Sequence, residues 1–418
     1  MRIITLLLFF TVINAYSTTL QEIIETAKKY NPVLKEKEIE IKIQKAKFLK
    51  AKAERFGEFG LYGTYNRYED PRILYPISPP LNPLNLVGAE NQIIAGVSYT
   101  VPIFTGFKLK NNIKISKIGK TLKEIQYKLT KNEIIYNIRT IYIKILSLKK
   151  QKKAFEEYKK SLDKLYLDVK EKVKVGKKAE VDLLKVEYDI KNVESNIRKI
   201  KNSILSLKAA LKTLSGKDDI DLSYLEDISL SSFYPKEADL KKLDFYKQSS
   251  IKTVIAERKL KIAKGDFYPQ VFFKASAQRN MGNSEYKDLW QLSINIHYNI
   301  FDFGKRKNQY IQRALELKQA KLQEKNTLFI LKQKLQEAKS QIDTAVGKIE
   351  ATKKQLKLAK TVEDIEKTKY EEGISDIYDY LHAKAQRYIA ESSYYQALYE
   401  REMAISYLKY ILEEFKNE

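Results

Sequence analysis

Cysteine is absent from all 418 residues and histidine occurs twice. The first absence excludes disulfides, thiolate metal sites and a lipid-modified N-terminal cysteine. The two histidines, His297 and His382, lie far apart in sequence, so no metal or other cofactor is expected. Glycine (14) and proline (9) are scarce, which leaves few breaks in long elements. No glycine-rich phosphate loop and no nucleophile motif occurs, so an enzyme reading has no residues to work with. After the first residues, nothing approaches the roughly 18 uninterrupted apolar residues that mark a membrane-spanning helix.

What is present is charge, in one pattern. The formal net charge is +24, but the lysines alternate with acids along helical stretches such as "KKQKKAFEEYKKSLDKLYLDVKEKVK". That reads as solvated helix face, and no nucleic-acid partner is expected. The opening "MRIITLLLFFTVINAYS" carries Arg2, an apolar run and then small or polar residues. It reads as a signal peptide over 1–17, cleaved after Ala15 or Ser17; the rival reading is an internal core helix.

The chain says the same thing twice. "VPIFTGFKLKN" from Val101 returns as "YNIFDFGKRKN" from Tyr298, with Ile103 and Ile300 197 positions apart, and Gly176 and Gly373 share that offset. Two copies of one unit are expected, 18–214 and 241–418, joined by a linker or equatorial segment over 215–240. Each copy starts with a helix; Thr19 and Glu22 fit a capping box at the entry of the first. A strand pair follows, at about 57–104 in one copy and about 269–301 in the other. Period-two alternation is clearest in the second, where Trp290, Leu292, Ile294 and Ile296 oppose Gln291, Ser293, Asn295 and His297. A proline-rich insert, "DPRILYPISPPLNPLNLVGAEN", reads as a loop between the first two strands.

Behind each strand pair runs a long helix. Residues 305–372 contain no proline and a single glycine, and at 1.5 Å per residue would span about 100 Å. Leu331, Leu335, Ala338, Ile342, Ala345, Ile349 and Thr352 step by threes and fours as a coiled-coil seam. Gly176 and Gly373 mark the reversals into returning helices. The returning helix is shorter, so a helix of roughly 35 residues preceding each strand pair is expected to make up the length.

A strand pair with an apolar outer face needs a closed barrel if it sits in lipid, and four strands cannot close. Oligomerisation follows, with the polar residues lining a lumen. These features together resemble the TolC family of outer-membrane efflux and secretion channels. The resemblance rests on the twofold unit, the junctions "PIFTGFKLKN" and "NIFDFGKRKN", and the reversals "VKVGKKAEVDLLKVEYD" and "YEEGISDIYDYLHAKAQRY". It implies a mainly α fold of duplicated coiled-coil hairpins. Two β-hairpins per chain would build a homotrimeric twelve-stranded barrel in the outer membrane of a Gram-negative-type bacterium, continued by an α-helical periplasmic barrel.

The resemblance further implies a periplasmic adaptor docking at the tips and an inner-membrane transporter behind it. Gly176, Lys177, Gly373 and Ile374 fall at the docking tips. Asp182, Tyr370, Asp379 and His382 fall at the gate, with Asp182 bonding Tyr370. The family pattern differs at Ser375 and Val181, which replace a locking arginine and its threonine partner, and at His382, which replaces a second acid. Trp290, the single tryptophan, is placed at the start of the last strand and at the outer headgroup level, in contact with outer-membrane lipid. The alternative reading is a periplasmic adaptor or coiled-coil scaffold, which would show one helical hairpin set in a β-rich region.

Overall fold

The computed structural model describes residues 18–80, 82, 86–229 and 238–417. The expected signal segment therefore lies outside the described residues. In chain order the elements are α1 (Leu20–Tyr30), α2 (Pro32–Ala53), β1 (Glu58–Ile73), β2 (Gly88–Phe104), α3 (Lys108–Lys174) and α4 (Glu180–Ser215). Then follow α5 (Asp244–Gly265), β3 (Gln270–Gly282), β4 (Glu285–His297), α6 (Lys305–Glu371) and α7 (Ile377–Ile411). Contacts divide the chain into two units, one formed by the described parts of 1–36, 127–244 and 329–418, the other by those of 37–126 and 245–328. Each unit draws on both sequence copies. No helix among the described residues is long and apolar enough to cross a membrane.

The unit of 37–126 and 245–328 carries the sheet. Its four strands pair in the order β1-β2-β3-β4, all antiparallel. Register places Trp290 opposite Ala277, Leu292 opposite Ala275, Ile294 opposite Phe273 and Ile296 opposite Val271. All four β4 residues are exposed, with Trp290 at 78%. On the other face lie Lys274, Ser276, Gln278 and Asn280, matched by Ser293, Gln291, Leu289 and Lys287. Tyr62 Oη donates to Gln278 Oε1 at 2.7 Å along that polar face. The turn between β3 and β4 uses Asn283 and Ser284, both at positive φ, as a two-residue turn that follows strand twist requires.

Three strand expectations are corrected. β1 and β2 reach into the proline-rich insert, because Tyr68–Pro71 bulge out of the ladder between Arg67 and Arg72 and pairing then resumes. β4 begins at Glu285 and ends at His297, so Trp290 sits in its sixth position and not at its start, while Tyr298 and Ile300 lie beyond the strand. Helix pairs extend from the sheet: Glu40 of α2 accepts from Lys123 of α3 at 2.8 Å, and Tyr246 of α5 donates to Glu324 of α6 at 2.9 Å.

The helix expected before the first hairpin is two helices. Asn31 closes α1 and opens α2, its Oδ1 accepting from the amides of Val33 and Leu34, and Pro32 occupies the first helical position where a missing N–H costs nothing. The capping box at Thr19 and Glu22 is present. In the second copy the preceding helix, α5, has 22 residues and not about 35.

The other unit is a set of packed helices with linker residues 218–228 laid against it. The α6 seam is buried at Leu331, Ala338, Ala345 and Thr352, every seventh residue, as a coiled coil demands. Ile23, Ile24, Ile138, Tyr142, Leu211, Leu225 and Phe415 form one core cluster. The amide of Thr18 donates to Tyr224 and the Tyr142 hydroxyl to the Glu226 carbonyl, while Asp227 accepts from Tyr399 and pairs with Lys150 at 2.7 Å. Surface pairs such as Lys152–Glu156 and Lys172–Asp168 sit one turn apart on exposed faces. Each contributes about 0.3–0.5 kcal/mol, so the dispersed charge stabilises little and keeps the helices solvated.

Candidate functional site at the two helix reversals

Both reversals lie in the helical unit and are built alike. At the end of α3 the Gly176 amide donates to Val173 and the Lys177 amide to Lys172; at the end of α6 the Gly373 amide donates to Tyr370 and the Ile374 amide to Lys369. These are matched Schellman closures, with φ +74° at Gly176 and +77° at Gly373. A Cβ at either glycine would meet nothing within 4 Å, so backbone handedness alone selects the residue. The helices that follow start differently. Asp376 caps α7, accepting from the amides of Tyr378 and Asp379, whereas Ala179 begins α4 with no side-chain cap.

Lys177 and Ile374 are exposed at the two tips, Ile374 at 71%. Asp379 and His382 share an exposed face of α7 and line one groove with Glu366, Lys369, Ile374 and Ser375. The His382 ring lies 6.1 Å from that of Tyr378, nearly parallel to it. His382 also borders a second groove with Val181, Leu184 and Tyr188 of α4.

Tyr370 is buried beneath the reversals. Its ring stacks on Tyr380 at 5.6 Å, and the Lys178 ammonium lies 4.2 Å from its centroid. The bond from Asp182 to Tyr370 that the resemblance implies is not formed: the Tyr370 hydroxyl has no hydrogen-bond partner. Asp182 still acts on it through space. Burial, and then the Asp182 and Asp168 charges, push Tyr370 up to about 12. Trp290 belongs to the other unit, on the exposed apolar face of the sheet.

Sequence reasoning missed a buried ionic cluster two to three turns along α7. Lys384 Nζ donates to the Tyr380 hydroxyl at 2.6 Å and lies 3.4 Å from Glu363 of α6. Arg387 lies 3.7 Å from Glu363 and 3.6 Å from Glu391. Burial pushes the Lys384 ammonium's pKa down, and Glu363 opposes that shift. Nothing in local sequence pairs Glu363 with Lys384, since the reversal brings them together.

A pH dependence arises from the tyrosines. Burial raises Tyr142, Tyr370 and Tyr380 to about 12, and raises Tyr158 and Tyr399 further. A group whose folded pKa exceeds its unfolded value near 10 adds stability that is complete below that value and is lost as pH rises through the folded one. Helical circular dichroism should therefore collapse between about pH 10 and 12, with ultraviolet ionisation of the buried tyrosines released in the same step. Full tyrosine ionisation near pH 10 with the helices intact would contradict this.

The model of the family described as outer membrane efflux protein matches residues 23–217 and 252–412. The chain belongs to that family. Efflux-protein membership agrees with the solved structures that share the fold. The VceC outer membrane protein of Vibrio cholerae superposes with a TM-score of 0.82 at 16% identity, covering 94% of this chain and 96% of that one. The CmeC outer membrane channel of Campylobacter jejuni gives 0.80 at 19%, covering 94% and 85%. The MtrE outer membrane channel of Neisseria gonorrhoeae gives 0.79 at 14%, covering 94% and 88%. No curated protein sequence matches the chain significantly. The TolC-type resemblance and mainly α fold expected from sequence are thus borne out: this is an outer-membrane efflux family chain, and the rival adaptor reading has no support.

Proposed function

We propose that the protein is the exit duct of a tripartite efflux or type I secretion system, a passive conduit assembled as a homotrimer. The observation that carries this reading is the sheet. One face is apolar and exposed, the other polar, and β1 and β4 have no partner on their outer sides among the described residues. Unpaired edges are untenable in lipid, so further copies of the chain must close the barrel. Three copies supply twelve strands, an even number within the range of outer-membrane barrels.

In this reading Gly176, Lys177, Gly373 and Ile374 present the tips to a periplasmic adaptor, which couples the duct to an inner-membrane transporter. Asp182, Tyr370, Asp379 and His382 stand at the gate. The absence of a hydrogen bond at the Tyr370 hydroxyl supports a lock that draws on a neighbouring copy or on another contact. The duct itself performs no chemistry.

Trp290 provides the test. Leu292, Ile294 and Ile296 continue the apolar face on one side of it, while on the other Arg279 grips Asp288 through two bonds of 2.6 and 2.7 Å. That change from apolar to charged within two residues marks the edge of a membrane band, where tryptophan is favoured. As the sole tryptophan it reports without interference. Quenching by lipids labelled at different depths should be strongest from shallow labels, in protein that runs as a heat-resistant trimer on gels. Strongest quenching from the bilayer centre, or none from any depth, counts against the reading.

A further inference from the structure

The segment joining β1 and β2 does not stand clear of the sheet. Leu74 is 1% exposed, and its carbonyl accepts from Asn280 Nδ2 at 2.9 Å. Asn280 in turn accepts from Gln278 Nε2 at 2.8 Å, and Gln278 accepts from the Tyr62 hydroxyl. Gln92 Nε2 donates to the Arg72 carbonyl at 2.6 Å, and the Lys287 ammonium lies 5.6 Å from the centroid of the Tyr75 ring. Tyr62, Gln278, Asn280 and Lys287 all belong to the polar face by register.

Burial confirms which face is covered. Asn280 is 7% exposed, while its neighbour Arg279, on the apolar face, is exposed. Further down the polar face Lys274 is exposed again, so the cover is local to the end of the sheet that carries the hairpin turns. That end is opposite the one where β1 and β2 join α2 and α3. Leu74 lies close over Gly282, where a Cβ would come within 3.1 Å of Leu74 Cδ1 and 2.6 Å of Ala89 Cβ. From Ile73 to Val87 the sequence has no charged residue, and Pro76, Pro79 and Pro80 stiffen the described part.

We propose that Leu74–Pro80 overhangs the water-facing side of the barrel at its outer mouth, where copies from each subunit form a filter that discriminates solutes by size. This rests on the exit-duct reading, in which the polar face lines the lumen and the helices extend into the periplasm. It adds a determinant of passage within the sheet-bearing unit, separate from the residues at the helix reversals. A stiff constriction resists wide or strongly hydrated solutes.

The absence of native cysteine makes the test direct. Ser276→Cys places one thiol on the polar face, below the covered end, in the full-length protein in intact cells. It is reacted from outside with a small water-soluble maleimide and with one bearing a bulky polyethylene glycol chain. In the otherwise native chain the bulky reagent should label slower than the small one by about tenfold or more, as a constriction implies. Two changes should bring the rates together: replacement of Tyr75–Val87 by an Asn-Gly turn, and the milder pair Tyr75→Ala with Asn280→Ala, which frees the segment without removing it. Equal rates in the native chain, or a difference that persists in both variants, overturn the filter while leaving the duct intact. Failure of even the small reagent in every background means that the polar face does not meet water, which sinks the duct reading and the filter with it.

Discussion

An arginine at Ile294 is expected to remove the protein from the outer membrane, while an arginine at the adjacent Ser293 leaves it there. Ile294 faces outward between Leu292 and Ile296, opposite Phe273, in the middle of the exposed apolar face. A lysine or arginine on the lipid face of a barrel costs about 2–4 kcal/mol at the bilayer midplane, and every copy in the assembly bears that cost. Ser293 points to the polar face beside Lys274, where an arginine stays in water. Membrane fractionation and heat-resistant oligomers on gels measure both variants. Wild-type levels of Ile294→Arg in the membrane, or equal loss of the two variants, would exclude a lipid-facing sheet.

The second large effect is expected at Glu363. It lies between Lys384 and Arg387 with 14% of its side chain exposed, and the Lys384 side chain is only 6% exposed. Glu363→Ala leaves the Lys384 ammonium buried without a counterion, a loss of about 3–5 kcal/mol for broken buried pairs. Arg387 is less affected because Glu391 remains nearby. Replacing both partners, Glu363→Leu with Lys384→Met, should recover most of the loss, since an apolar pair of similar volume carries no desolvation cost. Denaturation midpoints and protease sensitivity at the α6–α7 reversal read both variants. A shift below about 0.5 kcal/mol for Glu363→Ala would show that water already reaches the cluster.

How far sequence could reach depended on whether a feature is local. The strands were legible because alternation is written residue by residue, and the α6 seam because Leu331, Ala338, Ala345 and Thr352 repeat every seven. The reversals were legible because an αL position selects glycine. The break at Asn31 was equally local, an asparagine before a proline, but apolar periodicity runs through it and hid it. The N-cap at Asp376 was likewise readable from an acid two residues after Ile374. Other features had no local signal. The return of β1 to its ladder after Pro71 depends on Gln92 and Ala89 across the strand pair, and the Lys384 cluster depends on a partner 21 positions away on another helix. Charges read one by one as solvated were, at Glu363 and Lys384, largely enclosed.

The central ladder of the sheet has a consequence for folding order. β2 pairs with β3, so residues as far apart as Ile93 and Met281, 188 positions, become neighbours, whereas each hairpin closes on itself locally. Local pairings form early and the distant one last, because the intervening chain must first be brought together. The amino-terminal hairpin therefore waits, with a bare edge and an apolar face, until its counterpart arrives. That interval is when the chain is most open to aggregation with its own kind, and when a holding chaperone has most to protect.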